Sequence, residues 1–404
     1  MTKLMAGIRV VEVASWTFVP AAGAVMADWG ADVLKIEHPE SPDPQRSLVS
    51  TGFGGGTSSR SFIMEQSNRG KRSVAINLRS PGGIEMLYRL VETADVFLTN
   101  FLPASRRKLR IDVEDIRGRN PRIVYVRGHG QGVHGPDADK PGYDGTAYLA
   151  RGGFAHGLRA AGDEWPIAGT AAVGDLPGAM TIAGGIAAGL FHRERTGEAP
   201  VVDVSLLAAA MWTMSPGIVA TGMYGLDDMP REPRQRTANP ISIYYRTKDA
   251  RFIKLSMFES DRFFGDLCEH LDAGEVAADE RFRNATLRAA NREACVGALD
   301  EAFGRFTLQE LRTRFETLKG AWGVVQGPRD LYSDPQVEAN GYLSTVTDDD
   351  GTFQVVPAPV QFDEEQLTTL ARCPKHGEHT DEVFLALGMT MDELLEHKIA
   401  GDAL

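Results

Sequence analysis

The chain has 404 residues, 43% hydrophobic and 24% charged, the balance of a folded globular protein long enough for two domains. Its net charge of −12 argues against wholesale attraction to nucleic acid or to an anionic membrane surface, while leaving room for a local basic site. The three cysteines, Cys268, Cys295 and Cys373, are too far apart for a disulfide framework or a metal-ligand spacing, so no metal is expected and a reducing cytoplasm is the natural setting. The first residues run straight into a strand-like segment without the apolar core of a signal peptide. The apolar run 179–191 is too short to span a bilayer.

In chain order, 9–14 reads as a strand, 21–29 as a helix closed by Gly30, and 32–37 as a second strand. The glycine-rich stretch 40–60 reads either as a surface loop or as a flap over a site. The alternation resumes with a strand at 73–77, a helix at 81–92, and strands at 95–99 and 122–126. This α/β rhythm predicts a Rossmann-like large domain with a mainly parallel sheet covered by helices. A strand-like run at 167–173 leads to Gly174-Asp175-Leu-Pro-Gly178 and a small-residue helix ending near Arg195. A strand at 201–204 and an apolar helix at 206–219 follow. A proline- and arginine-rich stretch, 225–240, marks a boundary, so the expected domains are 1–220 and 226–330, with 331–404 as a C-terminal segment. The smaller, α+β domain opens with a hairpin over 241–257 and continues with helices near 261–271, 288–304 and 308–318.

Asp175 is the first candidate for chemistry. As a residue type at a helix start, taken alone, it reads first as an N-cap, because capping aspartates are common there. The same place serves catalysis: the helix terminus favours the carboxylate anion, and a carboxylate attacks an activated acyl carbon. Gly174 and Gly178 are expected to leave room for a bulky thioester. The basic cluster Asn68-Arg69-Gly70-Lys71-Arg72 and the run Arg106-Arg-Lys108 flank strand ends, where α/β folds bind ligands, and suit a phosphorylated nucleotide. No GxGxxG follows the first strand, so nicotinamide binding is not expected. Asn100-Phe-Leu-Pro103 and the glycine loop Arg127-Gly-His-Gly-Gln-Gly132 leave other strands at similar places.

Taken in order, Gly7-Ile-Arg-Val-Val-Glu-Val13, Met26-Ala-Asp-Trp-Gly-Ala-Asp-Val-Leu-Lys-Ile-Glu37, Asn68-Arg-Gly-Lys-Arg-Ser73, Pro141-Gly-Tyr-Asp144, Gly174-Asp175 and Gly377-Glu-His-Thr380 resemble the family III CoA-transferases, the CaiB/BaiF group. The resemblance implies an interlocked homodimer acting on acyl-CoA and carboxylic acid substrates, with coenzyme A as substrate rather than resident cofactor. It implies Asp175 as the residue that carries first the acyl group and then CoA, with Tyr143 beside it. It further implies a CoA surface along Thr17, Phe18, His38, Asn68, Arg69, Gly70, Lys71, Asn100, Phe101, Leu102 and Lys108, although relatives often carry arginine where His38 and Lys108 stand. The family also holds 2-methylacyl-CoA racemases, which keep a histidine where this chain has Tyr143, a poor base at neutral pH. Glu259 falls where those racemases keep a supporting glutamate. A racemase, a CoA-ester-dependent lyase and a non-catalytic CoA-binding subunit therefore remain the alternatives.

Overall fold

The computed structural model describes residues 3–47 and 60–404, so most of the expected flap lies outside the described residues. The first strands and helices are β1 (Arg9–Val13), α1 (Phe18–Asp28), β2 (Asp32–Glu37), α2 (Phe62–Asn68), β3 (Arg72–Ala75), α3 (Pro81–Glu92) and β4 (Val96–Thr99). They are followed by α4 (Pro103–Leu109), α5 (Val113–Arg119), β5 (Val124–His129), the one-turn α6 (Phe154–Gly157), α7 (Asp175–Thr196) and β6 (Val201–Ser205). The sheet order is β3-β2-β1-β4-β5-β6, all parallel, with Val11 beside Leu34 and Phe97, and Val126 beside Val202. Because helices cover both faces, the inner strands read as unbroken apolar runs: Val96, Phe97 and Leu98 are all fully buried.

Two apolar layers hold this sheet. On one face α1 and α7 pack through Ala22, Met26, Ala179, Ala183 and Ile186 onto Val10, Val124 and Val126. The small residues of α7 serve that approach: a Cβ on Gly185 would meet Val202, and one on Gly189 would meet Val124. On the other face Ile84, Leu87 and Leu90 of α3 join Leu34, Phe97 and Tyr125. Local signals set the ends of these helices. Ser80 Oγ accepts the Gly83 N–H ahead of Pro81 at the start of α3, and Gly197, in the left-handed region at φ +80°, closes α7.

Two expectations fail. Residues 167–173 form no strand: the run is apolar, but it lies outside the six paired strands. The helix expected over 206–219 is broken into α8 (Leu206–Thr213) and α9 (Ser215–Tyr224), bent by 68° where Pro216 removes a backbone donor. Among the described residues no single helix is long and apolar enough to cross a membrane.

The chain divides into two compact units, Met1–Leu158 with Pro166–Leu226 and Pro335–Leu404, and Arg159–Trp165 with Asp227–Asp334. In the second unit, β7 (Tyr244–Arg246) and β8 (Phe252–Leu255) form the expected hairpin. A third antiparallel strand, β9 (Trp322–Val324), completes that sheet, which rests on a helical core around Phe264, Leu267, Leu299 and Phe303.

Candidate active site

The strand order reverses between β1 and β4, and in open α/β sheets ligands bind at the strands' C-terminal ends beside such a switch point. A cleft of about 440 Å³ lies there. Ser15, Trp16 and Phe18 reach it from β1, Asn100, Phe101 and Leu102 from β4, and Gly128, His129 and Gly130 from β5. Lys108, Tyr143 and Asp175 also line it. The backbones of Gly130 and Gly142 come so close that a Cβ on Gly130 would sit 2.4 Å from the Gly142 Cα, which requires glycine at both positions.

Asp175 is the first residue of α7, and Gly174 occupies the cap position. The capping acceptor comes from elsewhere: Asp144 Oδ1 accepts the Gly174 N–H at 2.7 Å, while burial raises the Asp144 carboxyl above the ordinary carboxylate range against the opposing pull of the Gly174, Asp175 and Val173 amides. A π-helical stretch, Asp144–Arg151, delivers that carboxylate, and Tyr143 immediately precedes it. Asp175 is thus relieved of the capping role that residue type alone allowed. Burial, and then the Asp144 carboxylate, push the Asp175 carboxyl up to about 7. This corrects the expectation of an anion held by the helix terminus, because desolvation and a like charge outweigh that contribution.

The flanking glycines also have a different use from the one expected. A Cβ on Gly174 would lie 2.1 Å from the Tyr148 ring, and one on Gly178 would lie 2.5 Å from the Phe18 ring. Both make room for the protein's own aromatic side chains rather than for a thioester.

The predicted binding residues fall into three groups. Phe18, Asn100, Phe101, Leu102, Lys108 and Tyr143 line the cleft with Asp175. His38 lines an adjoining cavity of about 170 Å³ that shares Ser15, Arg79, Phe101 and Leu109 with the cleft, and its Nδ1 accepts the Glu40 N–H. The third group is turned inward. Lys71 Nζ lies 2.7 Å from Glu12 Oε2 and also bonds Asn68 Oδ1 and the Pro20 carbonyl, with Asn68 fully buried. Burial pulls the Lys71 ammonium down to about 8, opposed by Glu12. Arg69 forms a two-pronged pair with Asp28, Gly70 sits at φ +72° with its N–H on the Arg372 carbonyl, and Thr17 Oγ1 accepts from Gln45. None of these five borders the cleft. Sequence reasoning passed over Trp16, Arg79 and Lys140, which do border it, and Asp144. Lys140 stands directly before the Pro141-Gly-Tyr motif, and that adjacency was the available signal.

These features define an α/β protein whose cleft, at a sheet switch point, brings the Asp175 carboxylate, four aromatic side chains (Trp16, Phe18, Phe101 and Tyr143) and several cationic groups together. Residues 5–380 match CoA-transferase family III, and the chain belongs to that family, the CaiB/BaiF group. It is 32% identical over 396 residues to the (R)-2-hydroxy-4-methylpentanoate CoA-transferase of Clostridioides difficile, covering 98% of each chain. It is likewise 32% identical over 397 residues to the succinate–glutarate CoA-transferase of Agrobacterium fabrum, covering 95% of each. Among solved structures, a CaiB/BaiF family protein from Brucella suis superposes with a TM-score of 0.82 at 28% identity, covering 95% of this chain and 99% of that one.

Proposed function

We propose that the protein transfers CoA from an acyl-CoA donor to a carboxylic acid, with Asp175 as the covalent nucleophile. The observation that carries this reading is that Asp175 heads α7 at the cleft while the cap is supplied by Asp144, leaving the Asp175 carboxylate to react. An Asp175 oxygen attacks the thioester carbonyl, the C–S bond breaks, and CoA leaves as thiolate with a mixed anhydride on the enzyme. The thiolate then attacks the Asp175 carbonyl, the donor acid departs as its carboxylate, and an aspartyl-CoA thioester remains. The acceptor carboxylate repeats the first step on that thioester. The returning thiolate takes the acceptor acyl group and restores the Asp175 carboxylate.

Phe18, Asn100, Phe101, Leu102, Lys108 and His38 are proposed to hold CoA, with Arg79 and Lys140 adding positive charge for its phosphates. Asn68, Arg69, Gly70, Lys71 and Thr17 support that surface from beneath. Tyr143 is proposed to act beside Asp175 by positioning the acyl group. Its identity disfavours the racemase, and Glu259 is engaged by Arg262 at 3.0 Å. A homodimer is supported by the apolar face of α8 and α9, where Trp212, Met223 and Tyr224 are 82%, 73% and 71% exposed.

The test is mass spectrometry of the protein incubated with acyl-CoAs and acids in D₂O, with hydroxylamine as trap. A modified Asp175 peptide together with CoA on the added acid is expected. Deuterium at the acyl α-carbon with Asp175 unmodified overturns the reading in favour of a racemase.

A further inference from the structure

Trp16 has a φ of +68°, in the left-handed region that bulky side chains avoid. A glycine would make the turn from β1 into α1 without that strain. Instead, neighbours clamp it from both sides. The Trp16 N–H donates to Asp43 Oδ1 at 3.1 Å, and Asp43 Oδ2 is held at 2.9 Å by the fully buried Lys35. On the preceding residue, Asn100 Nδ2 donates to the Ser15 carbonyl at 2.7 Å, and Asn100 Oδ1 accepts the Ser15 N–H at 3.1 Å. The result of this clamp is a fixed backbone root from which one indole extends. That indole borders the cleft with Asp175 and stands edge-on to Tyr143, with ring centroids 5.8 Å apart at 82°.

We infer that Trp16 determines acyl specificity: its indole, rooted in this fixed backbone and met edge-on by Tyr143, is a wall of the cleft that limits the bulk carried next to the reacting carboxyl, so that the substrates are acids unbranched at the carbon beside it. The inference rests on the transferase reading above. The backbone hydrogen bonds fix where the ring is rooted and the edge-on contact with Tyr143 bounds it on one side, so a branch at that carbon must turn the indole off this contact or be refused.

The test compares CoA transfer to butyrate and to 2-phenylbutyrate from one acyl-CoA donor. Trp16→Ala is expected to raise the kcat/KM ratio of the branched to the straight acid by about tenfold or more, and Trp16→Phe by less. Trp16→Gly, which accepts the positive φ freely, is expected to show the same shift and serves where the alanine variant folds poorly. A ratio unmoved within about twofold in variants that still transfer CoA overturns the inference, as does an equal loss on both acids. If the unsubstituted protein transfers CoA to no acid, the transferase reading itself falls and takes this inference with it.

Discussion

Two groups of charged residues lie in the unit built on the parallel sheet, and they are built on opposite plans. Beneath α1 and β2, Glu12, Lys35, Lys71 and Asp43 are buried and share each other's charges, with Lys35 between Asp43 and Glu12, and Lys71 on Glu12. At the start of α7, Asp144 and Asp175 carry the same sign, and the nearest influence on Asp175 beyond burial is repulsion. The first group spends its charges on holding the frame. Among the described residues, the second leaves the Asp175 carboxylate without an ion-pair partner, which suits a nucleophile.

Perturbing each side breaks this comparison in a different way. Asp175→Ala is expected to lower kcat by roughly 10³-fold or more while CoA affinity changes only a few-fold, checked by steady-state kinetics and titration calorimetry. Lys71→Met leaves Glu12 buried without its closest cation and is expected to cost about 3–5 kcal/mol in denaturant unfolding, largely restored by adding Glu12→Gln. A smaller effect concerns pH. The nucleophile must be ionised, so kcat/KM should rise with pH through about 7, and Asp144→Asn, which removes the like charge but keeps an acceptor for Gly174, should move that limb to lower pH. The smallest effect is on stability. A carboxyl whose folded pKa lies above its unfolded value binds its proton more tightly when folded, so stability falls as pH rises between the two values. Asp175→Asn should therefore stabilise the protein at pH 8 by about 1–2 kcal/mol, after discounting for its partial exposure, and the gain should vanish near pH 4.

Much of the frame was legible because apolar runs and helix-end residues are local signals. Val10, Val33, Val96 and Val124 sit in runs that only a buried parallel sheet explains. The site was legible in part, through Gly174-Asp175 and the loops after β1, β4 and β5. What was not legible depends on distant partners. The Asn68–Lys71 cluster looks like a ligand surface until Glu12 and Asp28 are found beside it, 59 and 41 residues away in sequence. Asp144 could not be recognised as the cap of α7 because the two are 30 residues apart and meet only through the π-helical stretch. Residues 167–173 have strand composition but gain no strand neighbour in the sheet.

The strand β3 closes one edge of the large sheet, and its free side is covered late in the chain. His379 N–H donates to the Ser73 carbonyl at 2.9 Å, Thr380 Oγ1 accepts the Ala75 N–H at 3.0 Å, and Ala403 bridges Ile76, the first pair standing 306 positions apart. During synthesis at about 5–20 residues per second, an already formed β3 therefore waits roughly 15–60 s for its cover. Throughout that interval the nascent protein presents an unpaired strand edge, the surface on which chains join one another wrongly. A chaperone that shields this edge until residues near 380 emerge should raise the yield of folded protein more than one that acts on the second unit.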